Sequence, residues 1–337
     1  MIFPPDTLLP LAPPGFAQQV SGDPGTRKMQ AAARGLEVTK LDRFRYIIIH
    51  KHRAILFLGS QPILVDSRYS RHNDKGETKA VLQELGVPVP HGCRFGPGSE
   101  QEIVRWLDRH GPGIWVLKPT NMNMGKGVYV DLRSRAAVLS KYRKLSAHPV
   151  VIEEHLQGDE HRFLLVGGRT VAVARRRGAR VLGDGSCSVA ELVAAKNALR
   201  KTSRVHRKHL IHLDAAADAV LAEQDLSRDA VPDAGRTVIQ RKVSNVSMGG
   251  DSEDVTADVH PGLIAAIEKI WEAFRDRAVL GIDVILPDAT QPPESQRWGV
   301  IEVNNRPATR RLHGVSTIGP GRDVDAKILD YVFPPQS

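Results

Sequence analysis

Apolar and polar positions follow two different rhythms along this chain, and the changes of rhythm mark its elements. Residues 45–50 and 54–58 are short apolar runs flanking the polar Lys51-His52-Arg53, which predicts a β-hairpin. Asp74 then caps a helix to about Leu85, with Ala80, Val81 and Leu85 on one face and Gly86 with Pro88 ending it. Residues 99–110 predict a second helix, in which Ile103, Trp106, Leu107 and His110 recur at the helical period. Residues 115–118, 128–130 and a run from Val150 read as strands, and 163–166 with 170–174 as two more joined by the turn Gly167-Gly168. The stretch 188–233 is alanine-rich and helical in pattern, bounded by Gly183-Asp184-Gly185 and Pro232. An amphipathic helix is predicted over 261–277, with Leu263, Ile264, Ile267, Ile270, Trp271 and Phe274 at core spacing. Strands at 280–286 and 298–303 and a closing helix at 323–332 complete the series. By contrast, residues 1–40 carry six prolines and no sustained periodicity, so a disordered or surface-draped tail is expected. Helices and strands are mixed and many strands lie close in sequence, which predicts an α+β fold rather than one doubly wound sheet.

The chain has 337 residues, enough for two or three lobes. Its 41% hydrophobic and 25% charged residues are ordinary for a globular protein. No apolar run approaches the ~20 residues of a membrane span, and the start lacks a basic region followed by an apolar one, so a cytoplasmic location is expected. Cys93 and Cys187 match neither a zinc spacing nor a disulfide framework. The formal charge of +9 leaves two readings open, phosphate contacts to a nucleic acid or a basic cleft for an anionic small molecule. The basic clusters are Arg175-Arg176-Arg177 with Arg180, and residues 200–209, much of which reads as a solvated face. Aromatic residues, at 5%, hardly interleave with them, which argues against base stacking.

Five constellations carry chemistry. Two apolar strands are each interrupted by an acid, Asp283 in Gly281-Ile282-Asp283-Val284 and Glu302 in Ile301-Glu302-Val303-Asn304. Glu302 and Asn304, two apart, project to one face. Charges on such strands are costly unless paired or bound to a cation, and these oxygen donors suit magnesium; an ordinary salt bridge at a strand end is the alternative. Lys118 closes a strand, and the loop Asn121–Val128, with Asn123, Gly125, Lys126 and Gly127, can bring backbone N–H groups to phosphates. Its spacing is not that of a P-loop, and a plain hairpin turn is the alternative. Glu153, Glu154, Leu156 and Glu160 lie in a charged hinge that could meet an adenine and a ribose, or could be an exposed acidic turn. Arg241, Asn245, Ser247, Gly249 and Gly250 have the composition of an anion nest. Arg306, Arg310 and Arg311 follow the acids and could grip a carboxylate.

In this order the five pieces resemble the ATP-grasp superfamily of carboxylate–amine ligases, and most closely the ATP-grasp modules of cyanophycin synthetase and bifunctional glutathione synthetase. The resemblance runs from about Arg45 to Pro335 and includes Lys75 with Thr78, Gly86-Val87-Pro88-Val89-Pro90, Gly183-Asp184-Gly185, His260-Pro261 and Phe333-Pro334-Pro335. It implies an ATP-grasp fold, two α/β lobes clasping ATP, with a shortened N-terminal lobe and linker over 41–112, a small lobe over 113–180 and a large lobe over 181–337. It implies ATP and two Mg2+ ions, with Mn2+ as a substitute, amino-acid or peptide substrates, no membrane or nucleic-acid partner and a homodimer. Lys75 and Lys118 would hold phosphates, and residues 123–127 would close over them. Glu153, Glu154 and Leu156 would lie at the adenine, and Glu160 at the ribose. Asp283, Glu302 and Asn304 would hold the metal, and Arg176 would lie near the γ-phosphate. Arg241, Asn245, Ser247, Gly249, Gly250, Arg306 and Arg310 would bind the acyl phosphate or substrate.

Departures matter too. D-alanine ligases carry an arginine two residues before the first metal aspartate, where this chain has Gly281; Arg241 is the expected replacement. Asn305, Arg306 and Ala308 stand where small residues or glycine are usual, which puts the substrate's identity in question. Without the further modules of cyanophycin synthetase, polymerisation of cyanophycin is not expected. The implied reaction is amide formation through an acyl phosphate. Glutathione-like peptide synthesis, small-molecule phosphorylation and nucleic-acid binding are the alternatives.

Overall fold

Strand side chains alternate between the two faces of a sheet, and that alternation sorts the molecule into layers. The computed structural model describes residues 27–42, 44–51, 53–63, 75–120, 122 and 127–334, with the backbone alone at 53 and 75–77. At the centre is a five-stranded antiparallel sheet in the order β13 (Asp251–Asp254), β10 (Arg169–Arg177), β9 (Asp159–Val166), β14 (Val279–Leu286) and β15 (Gly299–Asn304). Phe163, Leu165, Leu280, Ile282 and Val284 cover one face and meet Leu263, Ile267, Ile270 and Phe274. Leu164, Val166 and Val279 cover the other, against Ile48, Phe57, Ile328, Leu329 and Val332.

That second layer joins the two ends of the described chain. It consists of the helix Val324–Val332 and a sheet of β1 (Glu37–Lys40), β2 (Arg45–His50), β3 (Arg53–Leu58) and β4 (Gln61–Pro62). The expected hairpin is β2–β3. The expected tail is corrected for residues 27–40, which form the helix Arg27–Ala33 and β1. Arg27 is buried and ion-paired with Asp325, and also donates to the Tyr46 hydroxyl and the Gly59 carbonyl. A seven-residue helix shows little periodicity of its own, and its ion-pair partner Asp325 lies 298 positions away in sequence. Residues 1–26 lie outside the described residues.

A smaller antiparallel sheet, β5 (Gly92–Phe95), β8 (Val150–Glu154), β6 (Trp115–Pro119) and β7 (Tyr129–Leu132), is backed by the helices Glu100–His110 and Arg135–Arg143. Ile103, Leu107, Leu117, Val138, Tyr142 and Ile152 form its core. Strand pairing therefore places this lobe at 92–154 rather than 113–180, because β9 and β10 pair with β14 and β13 in the central sheet. Gly167 and Gly168, with φ of 56° and 83°, make the β9–β10 turn as expected.

The alanine-rich stretch forms the helices Val189–Thr202 and Ala215–Ala222, which pack on β11 (Arg180–Leu182) and β12 (Thr237–Ile239). The predicted helix over 261–277 is α-helical only over Pro261–Glu268 and tightens to a 3-10 helix over Lys269–Phe274. The helix Lys75–Glu84 appears where expected; its proposed cap, Asp74, lies outside the described residues. Among the described residues no helix is long and apolar enough to cross a membrane.

Candidate active site

Cross-strand register assembles the site. Glu160 stands opposite Arg176, Arg162 opposite Asp283, Asp283 opposite Glu302, and Gly281 opposite Asn304. Glu160 and Arg162 alternate with Phe163 and Leu165, so these charged groups share the face away from the Leu263–Phe274 layer. Predicting a strand only from Phe163 onward hides this arrangement. Extending the alternation back to Asp159 brings Glu160 and Arg162 into the ladder.

The charges are paired. Asp283, 2% exposed, accepts from Arg162 Nε, from Arg162 Nη2 at 2.6 Å, from Arg176 Nη1 at 3.4 Å and from Asn304 Nδ2 at 3.2 Å. Burial pushes the Asp283 carboxyl up, but Arg162 and Arg176 outweigh it and hold the group below the usual range. Glu160 accepts from Arg176 and from the Ser244 hydroxyl. Burial dominates there and raises its pKa. Arg176 also donates to the Ser244 carbonyl at 2.7 Å.

The small sheet supplies the opposite wall. Lys118 and Glu153 lie on neighbouring strands, and Lys118 Nζ is ion-paired with the buried Glu153 carboxylate. Lys118 also reaches the Ile301 carbonyl of β15 at 3.4 Å, so it touches both walls. Lys79 approaches Glu153 at 3.5 Å, and burial lowers its pKa. Lys79 is the lysine the sequence reading missed; it lies one helical turn after Lys75, whose side chain is outside the described residues.

Between the walls is a cleft of about 560 Å³. Lys118, Glu153, Glu154, Leu156, Glu160, Arg162, Arg176, Asn245, Ser247, Asp283, Glu302, Asn304 and Arg306 all line it. A second cavity of about 550 Å³ shares Lys118, Glu153, Glu302 and Asn304 with the first and adds Lys79, Gln83, Arg94 and Thr120.

No family model matches the chain. It is 34% identical over 275 residues to cyanophycin synthetase of Crocosphaera subtropica, covering 78% of this chain and 30% of that protein. It is 36% identical over 275 residues to the glutathione biosynthesis bifunctional protein GshAB of Mannheimia succiniciproducens, covering 77% of this chain and 35% of that one. In three dimensions it is similar to a bifunctional glutathione synthetase from Pasteurella multocida, with a TM-score of 0.67 and 29% identity over 91% of this chain and 42% of that one. The chain has the ATP-grasp fold. It spans about a third of the length of the curated relatives it matches.

Within this ATP-grasp frame, several expected positions change meaning. Glu153 turns to Lys118 and Lys79 rather than into the hinge. Glu154 accepts from the His91 N–H at 2.9 Å and from Arg297, and its own N–H goes to the His91 carbonyl. Glu160 is held by Arg176 and Ser244. Arg241, the expected substitute for an arginine at 281, bonds Asp214 at 2.6 Å and lines neither cavity. The space over Gly281 is instead taken by Pro307 and Arg162; a Cβ there would lie 2.6 Å from Pro307 Cβ, 3.1 Å from Arg162 Cδ and 3.2 Å from Arg162 Nη1. Arg310 lines neither cavity, while Arg311 lines the first beside Arg306.

Asn245 accepts from the Ser247 N–H at 2.9 Å and so shapes the nest loop. Gly249 and Gly250 give their carbonyls to Arg200 at 2.7 and 2.6 Å and lie outside both cavities. Of the glycine loop, Gly127 alone among the predicted residues is described; Asn123, Gly125 and Lys126 are not. The basic runs are largely interior. Arg175, Arg176 and Arg177 pair with Glu253, Glu160 and Asp159, and Arg200 is buried on Asp251, while Lys201, Arg204, Arg207 and Lys208 are exposed as expected.

Among the described residues no three His, Cys, Asp or Glu side chains gather as a metal cluster. The oxygen donors of Asp283, Glu302 and Asn304 nevertheless share one face and line the cleft, a set suited to a magnesium ion whose remaining ligands are phosphates and water.

Proposed function

We propose that this chain binds ATP with magnesium in the cleft and joins a carboxylate to an amine through an acyl phosphate, releasing ADP and phosphate. The observation that carries this reading is the confrontation of Lys118 and Glu153 on the small sheet with Arg162, Arg176, Asp283, Glu302 and Asn304 on the central sheet across one cleft. Cations on both walls neutralise a polyphosphate and the charge shifted during transfer, so positioning and electrostatics do most of the work.

Asp283, Glu302 and Asn304 would hold the magnesium, as two ions with Mn2+ as a substitute; when bound, it neutralises phosphate oxygens. Lys118, fixed by Glu153, points its ammonium at the region where the two cavities join. The nucleotide occupies the first cavity with its base at Glu154 and Leu156, and the second gives room for the other reactant. Lys79 and Arg94 in the second cavity, with Arg306 and Arg311 in the first, favour an acid bearing more than one carboxylate, such as a glutamyl amino acid. The incoming amine attacks the acyl carbon, and the oxyanion that forms lies among these guanidinium groups. The working form is proposed to be a cytoplasmic homodimer.

The test mixes the protein with ATP, magnesium and pairs of amino acids, glutamate first, following ADP release and product mass. A condensed dipeptide accompanied by ADP supports the reading. A phosphorylated product without an amide makes the protein a kinase, and absence of turnover and nucleotide binding overturns both.

A further inference from the structure

We propose that Arg162 makes cation binding at Asp283 conditional on bound phosphate: it guards the carboxylate in the nucleotide-free protein and transfers its guanidinium to the phosphates when nucleotide enters. This rests on the ATP-binding reading above.

A carboxylate accepts through two oxygens with about four lone-pair sites. At Asp283 these are filled. Oδ1 accepts from Arg162 Nε and Arg176 Nη1, and Oδ2 from Arg162 Nη2 and Asn304 Nδ2. A divalent cation arriving alone would have to break a two-point pair between groups buried to 6% and 2% exposure. It would then sit beside two displaced guanidinium groups, with Arg311 on the same cleft wall. Like charges that close in a low-dielectric site repel strongly.

A polyphosphate changes the balance, because it offers the guanidinium an equally good bidentate partner. Arg162 already lines the cleft. Its shaft passes close to Gly281, where a side chain would collide with Pro307 and with Arg162 itself. Once the arginine turns to phosphate, Asp283 recovers lone pairs for a cation, and the net charge of the site stays near balance. Metal and nucleotide thus bind together, and a site already charged with free cation is avoided.

The probe is Mn2+ binding to the full chain without nucleotide, read by electron paramagnetic resonance. The wild-type chain is expected to bind weakly. Arg162→Met removes the two-point donor and leaves the buried carboxylate with only the longer contact to Arg176 and the Asn304 amide, so Mn2+ affinity should rise roughly tenfold or more. Equal affinity in the two proteins, or tight binding to the wild type, overturns the proposal. Should Arg162→Met fail to fold, the wild-type arginine Nε–H resonances decide, with Arg162 assigned by its loss in Arg162→Lys. The Arg162 signal is expected to shift on adding ADP alone and to stay put on adding Mg2+ alone. A fixed Arg162 signal with ADP-induced shifts at Leu156 overturns the coupling and leaves ATP binding standing. No ADP-induced shift anywhere overturns the ATP-binding reading and the proposal with it.

Discussion

Glu302 stands directly opposite Asp283 across the β14–β15 ladder, so carboxylates from two consecutive strands face one cleft. Glu302 is only half-buried and fills no core volume. Glu302→Ala is therefore expected to cut turnover at least a hundredfold, an energy of about 3 kcal/mol or more at the transition state, with a melting temperature close to wild type. ADP release and circular dichroism check this; full activity would refute the assignment.

Glu160 is wedged between Arg176 and Ser244. Glu160→Ala takes away the closer of the two carboxylates that hold the Arg176 guanidinium and leaves it only Asp283 at 3.4 Å beside the cleft. It should raise the ATP concentration needed for half-maximal rate and lower stability by about 1–3 kcal/mol. Steady-state kinetics and urea unfolding read the two effects separately. An unchanged ATP dependence would remove Glu160 from the nucleotide site.

Arg27 and Asp325 form a buried ion pair joining the first helix to the last. Arg27→Ala leaves Asp325 buried without its cation and is expected to cost about 3–5 kcal/mol. Loss of Arg34, exposed just past the end of the helix Arg27–Ala33 and paired with Asp330, should cost about 1 kcal/mol or less. Urea unfolding of both variants tests the contrast, and equal losses would contradict it.

Acid should destabilise the fold. Burial lowers the pKa of His161 and of His206 to about 4, and of His313 to about 3. The unfolded chain binds these protons near pH 6.5 while the folded chain does not. Stability is thus complete above that pH and falls between about 6.5 and 4, by about 1.4 kcal/mol per pH unit for each histidine. His206 bonds the Val315 carbonyl at 2.7 Å. In His206→Gln, which keeps a donor there, unfolding measured from pH 7 to 5 should show a shallower slope, and an unaltered slope would count against its part.

Several elements were legible because the local pattern and the tertiary fold agree. The hairpin β2–β3, the helix Glu100–His110 and the strand Val150–Glu154 carry their own periodicity and end signals. The short helix Arg27–Ala33 does not, since its stability comes from Asp325 and from Ile328 and Leu329 at the other end of the chain. The 3-10 stretch Lys269–Phe274 was read as α-helix because the same apolar residues serve either winding.

The sequence by itself determined the residue types and their order: an acid within each of two apolar strands, a lysine closing a third, and arginines on either side. Side-chain chemistry and period-2 alternation are local, so these could be read directly. Only the tertiary structure decided which groups meet. Strand register sets Arg162, rather than Arg241, against Asp283, and turns Glu153 toward Lys118. Register and sheet order depend on the packing of many distant side chains at once, and a shift of one residue would carry every one of these charges to the opposite face.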